Sequence, residues 1–114
     1  MTDIDTAALP KVVSAYLERS HGPAPATAIT LFAPTATVSD SGTRYAGQNE
    51  VLDFLQRATT EFDYTSTLIG AERDGHVATA TNRLEGNFPG GIVELRYRFT
   101  LNDSETAIDQ LTIS

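Results

Sequence analysis

The chain has 114 residues, no cysteine, two histidines and a formal net charge of −7 from eight basic and fifteen acidic side chains. Without cysteine there is no disulfide, no thiolate nucleophile and no thiolate-bound zinc or iron–sulfur centre, and His21 and His76 alone argue against a histidine-rich metal site. The acidic balance, with no Lys or Arg cluster to offset it, argues against a nucleic-acid partner and against an anionic membrane surface.

The length suits one domain over residues 1–114, large enough for a real core. A composition 40% hydrophobic and 20% charged is ordinary for a soluble globular chain. No apolar run approaches the roughly 18–20 residues of a membrane span, and "MTDIDTAALPK" lacks the basic-then-apolar order of a signal peptide. A soluble, cytoplasmic protein is the expectation.

In chain order, Leu9, Val12, Val13, Tyr16 and Leu17 form one apolar stripe and predict a helix over 9–20. "HGPAP" at 21–25 ends it. A second short helix is expected over 26–32, ending at Pro34, followed by a strand over 36–40 and a turn at Ser41-Gly42. A short return through Thr43, Arg44 and Tyr45 leads to Gly47, which opens a third helix with Val51, Leu52, Phe54, Leu55, Ala58 and Phe62 on its apolar face.

After Phe62 the period changes to that of strands. "DYTSTLIGAERDG" and "HVATATNRLEGNF" meet at the Asp74-Gly75 turn. "FPGG" at 88–91 reads as a second turn, and no helix follows it to make a phosphate cradle. Val93, Leu95, Tyr97, Phe99 and Leu101 alternate with Glu94, Arg96, Arg98 and Thr100, and "TAIDQLTIS" closes the chain beyond Asn102-Asp103-Ser104. The order predicts an α+β fold with three N-terminal-half helices packed on a strongly curved antiparallel sheet. Such a sheet tends to leave a cone closed at one end, a usual home of small-molecule sites.

Three polar side chains stand on apolar positions. Asp40 shares the strand parity of Ala36 and Val38, Tyr16 lies in the helix stripe, and Tyr97 sits among the inward residues of its strand. Either the strand stops at Val38 and Asp40 caps the Ser41-Gly42 turn, or a carboxylate is placed inside the fold. Gathered in one apolar cavity, the three would suit proton abstraction next to a carbonyl. Desolvation strengthens the carboxylate as a base, and phenol O–H groups donate to the developing enolate oxygen. Phe32, Val38, Phe54, Phe88 and Phe99 are the candidate apolar lining, and Asn82 is a further candidate whose strand parity is ambiguous. His76 reads as a solvated turn residue, His21 as a helix-end residue, and Arg96 and Arg98 as facing solvent or a partner subunit.

The stretches "VVSAYLERS", "LFAPTATVSDSGTRYAGQNEVLDFL" and "GNFPGGIVELRYRFTLND" resemble the nuclear transport factor 2-like superfamily, in its SnoaL-like and ketosteroid-isomerase-like branches. The resemblance covers essentially the whole chain and implies a cone-shaped barrel. In ketosteroid isomerases a tyrosine of the first helix is an oxyanion donor and the aspartate closing an "ATV-x-D" strand is the proton-shuttling base. Tyr16 and Asp40 hold the matching positions. That isomerase chemistry is a known case of tuned carboxyl groups and is borrowed here from the resemblance. The third member there is a protonated aspartic acid, whose nearest match here is Tyr97, and Ser41 stands where that branch commonly has proline.

The resemblance therefore implies a cofactor-independent, metal-free isomerase- or cyclase-type enzyme acting on a small hydrophobic carbonyl compound. The alternative is a non-catalytic ligand-binding or dimerisation module of the same fold. Epoxide hydrolysis would need Asp40, Arg83 and Asp109 together inside the cone. A homodimer is expected under each reading, through a sheet face carrying Thr79, Thr81, Arg96, Arg98 and Thr100.

Overall fold

A computed structural model describes residues 2–20, 25–57, 64–87 and 89–114. Its elements, in order, are β1 (Thr2–Asp3), a 3-10 turn at Thr6–Ala8, α1 (Lys11–Ser20) and a 3-10 helix at Pro25–Leu31. Then follow β2 (Phe32–Asp40), β3 (Thr43–Ala46), α2 (Gln48–Arg57), β4 (Tyr64–Asp74), β5 (Val77–Gly86), β6 (Ile92–Leu101) and β7 (Ile108–Ile113). His21, Ala58, Phe62 and Phe88 lie outside the described residues.

Two helix boundaries differ from the sequence expectation, and proline explains both. α1 starts at Lys11 because Pro10 disfavours helical backbone at the residue before it, and Leu9 is extended at φ −59°, ψ 145°. The Pro10 carbonyl accepts the first helical bonds from Val13 and Ser14. The second helix is 3-10, and the chain enters β2 at Phe32, so Pro34 lies inside a strand instead of ending a helix. It is tolerated there because the β2–β7 pairing is irregular between Phe32 and Thr37, where no ladder donor is required.

The seven strands form one curved, unclosed sheet in the order β1-β4-β5-β6-β7-β2-β3. Every pairing is antiparallel except β2 with β7, which run parallel. Local periodicity cannot reveal that exception, because it joins residues more than seventy positions apart in sequence. Irregularities in β4 between Leu68 and Gly70, and in β7 at Asp109 opposite Thr100 and Leu101, add to the bend. The helices cover one face. Val12, Val13 and Tyr16 of α1 and Val51, Phe54 and Leu55 of α2 are buried against Ala36, Val38, Ala78, Ala80, Phe99, Leu111 and Ile113.

Gly47 opens α2 in a left-handed conformation (φ +84°), and its N–H donates to the Ala36 carbonyl at 3.0 Å. Three residues on, the Glu50 carboxylate reaches back and accepts from the Ala46 N–H at 3.0 Å. This is a capping-box arrangement shifted by one position. Glu50→Ala is expected to lower stability by about 0.5–1 kcal/mol in urea denaturation, whereas Glu50→Gln keeps an acceptor and most of the effect.

Candidate active site

β2 does not stop at Val38. Asp40 pairs with Thr43 of β3 on one side and with Ile113 of β7 on the other. The turn that follows has φ +49° at Ser41 and +92° at Gly42, the two-residue geometry that matches strand twist in a hairpin. Asp40 therefore keeps its place on the face of Ala36 and Val38, and it is half-buried while those two are buried.

The ladder places Asp40 in a transverse row. Residues directly opposite in a sheet share a face, and the row runs Asp40, Ile113, Tyr97, Ala80, Ala71 across five strands. Asp40 and Tyr97 are thus two strand spacings apart, about 10 Å between backbones, on the helix-covered face. The adjacent row runs Tyr45, Val38, Leu111, Phe99, Ala78. Tyr16 stands over it, its ring edge-on to Phe99 at 5.3 Å and to Phe32 at 5.8 Å. Tyr16 is 2% exposed and Tyr97 6%.

Of the apolar candidates, Phe32 and Phe54 are buried, and Val38 and Phe99 have no exposed surface. The Phe54 ring meets Tyr45 at 5.1 Å. Asn82, ambiguous from sequence, falls on the inner face beside Ala80 and opposite Leu95 and Leu68. It is 2% exposed. Its Nδ2 donates to Ser66 Oγ at 3.1 Å, and its Oδ1 is buried without a hydrogen-bond partner. A sequence with Ala, Ala and Leu on the same parity of β5 carries that signal only weakly.

The epoxide-hydrolase set is not assembled. Arg83 is exposed beside Glu85 at 3.1 Å, on the opposite strand parity from Asn82. Asp109 is exposed as well. Among the described residues, no group of three His, Cys, Asp or Glu side chains is arranged to hold a metal ion, and no helix is long and apolar enough to cross a membrane.

The outer face holds the polar set expected of it, with one correction. Thr79 is only 3% exposed, between Glu72 of β4 and Arg98 of β6 in the ladder. Thr79, Arg96, Arg98, Thr112 and Ser114 line an open groove of about 300 Å³, and Arg96 reaches Glu72 at 3.1 Å.

A cluster invisible in the sequence ties the β4–β5 turn to the β6–β7 loop. The Glu105 carboxylate accepts from the Arg73 guanidinium, and His76 Nδ1 lies 3.1 Å from it. His76 is exposed, as its turn position implied, but it is not solitary. The hydrogen bond from Arg73, then that with His76, holds the Glu105 pKa below its ordinary 4.5. A carboxyl depressed in the folded state stabilises fully above its unfolded pKa, and the benefit is lost as pH falls through the folded value. Glu105→Gln is therefore expected to melt below the wild type at pH 7, with the gap closing as pH falls below about 4.5 and onward through the lowered folded pKa. Thermal melts at pH 7 and pH 3 check this.

Helices over one face of a bent, unclosed sheet are the architecture of the nuclear transport factor 2-like fold shared by SnoaL-like and ketosteroid-isomerase-like proteins. The chain has this fold. It superposes with a TM-score of 0.87 and 29% identity on a protein from Sinorhizobium meliloti provisionally described as a polyketide cyclase, covering 97% of this chain and 100% of that one. A protein from Catenulispora acidiphila with a ketosteroid-isomerase-like fold, crystallised with trimethylamine, gives 0.80 at 20% identity, covering 94% and 86%. A protein from Shewanella putrefaciens, provisionally described as a SnoaL-like polyketide cyclase, gives 0.70 at 15% identity, covering 90% and 85%. No protein-family model and no curated protein matches the sequence significantly.

Proposed function

We propose that this chain, as a single SnoaL-like domain, is a cofactor-independent enzyme that moves a proton on a small hydrophobic carbonyl compound. Asp40 acts as the base, and the phenols of Tyr16 and Tyr97 donate to the carbonyl oxygen. The observation that carries the reading is the shared inner row of Asp40 and Tyr97, with Tyr16 seated on Phe99 of the next row. The likeness to the Sinorhizobium meliloti protein, provisionally described as a polyketide cyclase, supports the fold family within which this reading is made.

The chemistry follows from the residue types. Asp40 takes a proton from the carbon next to the carbonyl, and the electron pair of that C–H bond moves into the enolate. Negative charge builds on the oxygen, where hydrogen bonds from fixed phenols count for more than they would in water. Returning the proton to a second carbon isomerises the substrate. Attack of the enolate carbon on a second carbonyl of the same molecule closes a ring, the carbonyl π electrons passing to its oxygen, which takes back the proton held by Asp40. Phe32 and Phe54 supply apolar surroundings that favour a hydrophobic substrate.

The test is hydrogen–deuterium exchange at C2 of 1-tetralone in D₂O, followed by NMR. Wild-type protein is expected to exceed the buffer rate, and Tyr16→Phe and Tyr97→Phe to lose on the order of 10-fold to 10³-fold of the excess. Exchange no faster than buffer, with 1-naphthol still binding, would favour the non-catalytic ligand-binding module.

The outer groove supports a second element of the reading, a homodimer formed through this face. Arg98 is exposed beside Thr112 there, and acidic Glu72 and Glu94 stand on the same strand parity, so a two-fold copy can pair opposite charges. Sedimentation is expected to give a dimer that Arg98→Glu weakens. A monomer at high protein concentration would remove this part of the proposal.

A further inference from the structure

Asn82 stands on the inner face of β5, two residues from Ala80 and so one row beyond the row of Asp40 and Tyr97. Its cross-strand neighbours are Leu68 of β4 and Leu95 of β6, and Ala80 and Leu84 flank it on the same face of its own strand. None of these side chains can donate a hydrogen bond. One end of the buried amide is satisfied, because Nδ2 donates to Ser66 Oγ at 3.1 Å. The amide is planar, so its carbonyl end points away from Ser66. That Oδ1 is buried with no hydrogen-bond partner.

A buried acceptor without a donor is destabilising, whereas an apolar side chain of similar size carries no such cost. Leu84, buried on the same parity of β5, shows that leucine is accommodated there. Nor does Asn82 satisfy any backbone group, since its hydrogen bond goes to a side-chain hydroxyl. A polar atom left unpaired in such a place calls for a partner from outside the chain. The inner face also opens at this level. Phe99 and Tyr97 of β6 are buried, Leu95 is partly exposed, and Val93 is exposed.

We infer that Asn82 is a specificity-determining residue: its Oδ1 accepts a hydrogen bond from a hydroxyl or N–H that the substrate carries away from its reacting carbonyl. This rests on the reading of the Asp40–Tyr97 row as the site, and it narrows the substrate class to carbonyl compounds with a second, donor-bearing polar group, such as a hydroxylated ring ketone. Asn82 is the diagonal neighbour of Tyr97 across β5 and β6, about 7–8 Å away. A carbonyl bonded by Tyr97 and a hydroxyl bonded by Asn82 therefore fit on one small ring system. Leu68 and Leu95 are only partly buried, and a ligand that turns either to another rotamer reaches Oδ1. A substrate donor supplies the bond that Oδ1 lacks. An analogue without it leaves the acceptor buried and unpaired, which is how a polar site rejects a near match.

Binding of 6-hydroxy-1-tetralone, 6-methoxy-1-tetralone and 1-tetralone is measured by calorimetry at about pH 6, where the phenol keeps its proton. The wild type is expected to bind the hydroxy compound about 10-fold more tightly than the other two. Asn82→Leu is expected to bind all three alike and to melt no lower than the wild type, because the unpaired acceptor is gone. Asn82→Ala, which removes the acceptor without adding bulk, is expected to lose the preference as well.

Equal binding of the hydroxy compound and 1-tetralone by the wild type, or binding of neither, would overturn the inference. So would a preference that survives both Asn82 variants, because the hydroxyl would then be bonded elsewhere. Tighter binding of the methoxy compound than of the hydroxy one would overturn it too, since an ether oxygen only accepts and Nδ2 would then face the ligand. Failure of the catalytic reading looks different: no ketone exchanges faster than in buffer, while the hydroxyl preference and its loss in the Asn82 variants remain.

Discussion

Asp40→Asn is expected to lower the excess rate of C2 exchange of 1-tetralone by a factor of about 10²–10⁴, the usual contribution of a positioned general base. The substitution keeps the size and planarity of the side chain and removes only the basic oxygen, so packing against Val38 and Ile113 is retained. Asp40 lies at the end of β2, bonded into the ladder on both sides, and its neighbour Ser41 is pinned to Ile113. The backbone therefore does not depend on the charge. Asp40→Asn should accordingly melt within a few degrees of the wild type and still bind 1-naphthol, which imitates the enol. A parallel loss of exchange and of folding would assign Asp40 to structure instead.

Phe99→Ala is expected to cost about 3–5 kcal/mol of folding free energy, measured by urea denaturation. Phe99 has no exposed surface and lies in the row between Leu111 and Ala78. Its ring forms one side of the edge-on contact with Tyr16. Since Ala78 opposite is small, no neighbouring side chain on β5 can swing in to fill the space. The strand backbone is held on both sides by the ladder, so the cavity cannot collapse by moving β6. The variant also removes the support under the Tyr16 ring, and exchange at a temperature where it stays folded should fall with it. A loss of less than about 1.5 kcal/mol would show that the site repacks, and that Tyr16 is not held by this contact.

Much of the fold was legible because period alone fixes it. Val12, Val13 and Tyr16 keep one helix face, and Tyr97, Phe99 and Leu101 keep one strand face. The same parity argument made Asp40 and Tyr97 candidates for the inner side and left open a turn-capping role for Asp40. It could not say that they share a row, because that depends on the register of β7 between them. The parallel pairing of β2 with β7 was hidden for the same reason. Pro34 misled because proline is read locally as a stop, whereas an irregular stretch of pairing accommodates it. Asn82 was unreadable because its neighbours are small and its unsatisfied Oδ1 is a property of packing. The Arg73–Glu105–His76 cluster joins loops 32 and 29 residues apart, and no local pattern encodes such a meeting.

The central claim is that ligand chemistry happens on the inner row that holds Asp40 and Tyr97. The most direct test is to titrate uniformly labelled protein with 1-naphthol and map the shifted resonances. The expected result is a cluster on Asp40, Ile113, Tyr97, Ala80 and Tyr16, weakened in Tyr97→Phe. Shifts confined to Thr79, Arg96, Arg98 and Thr112 on the outer face, or no shifts at all, would contradict it.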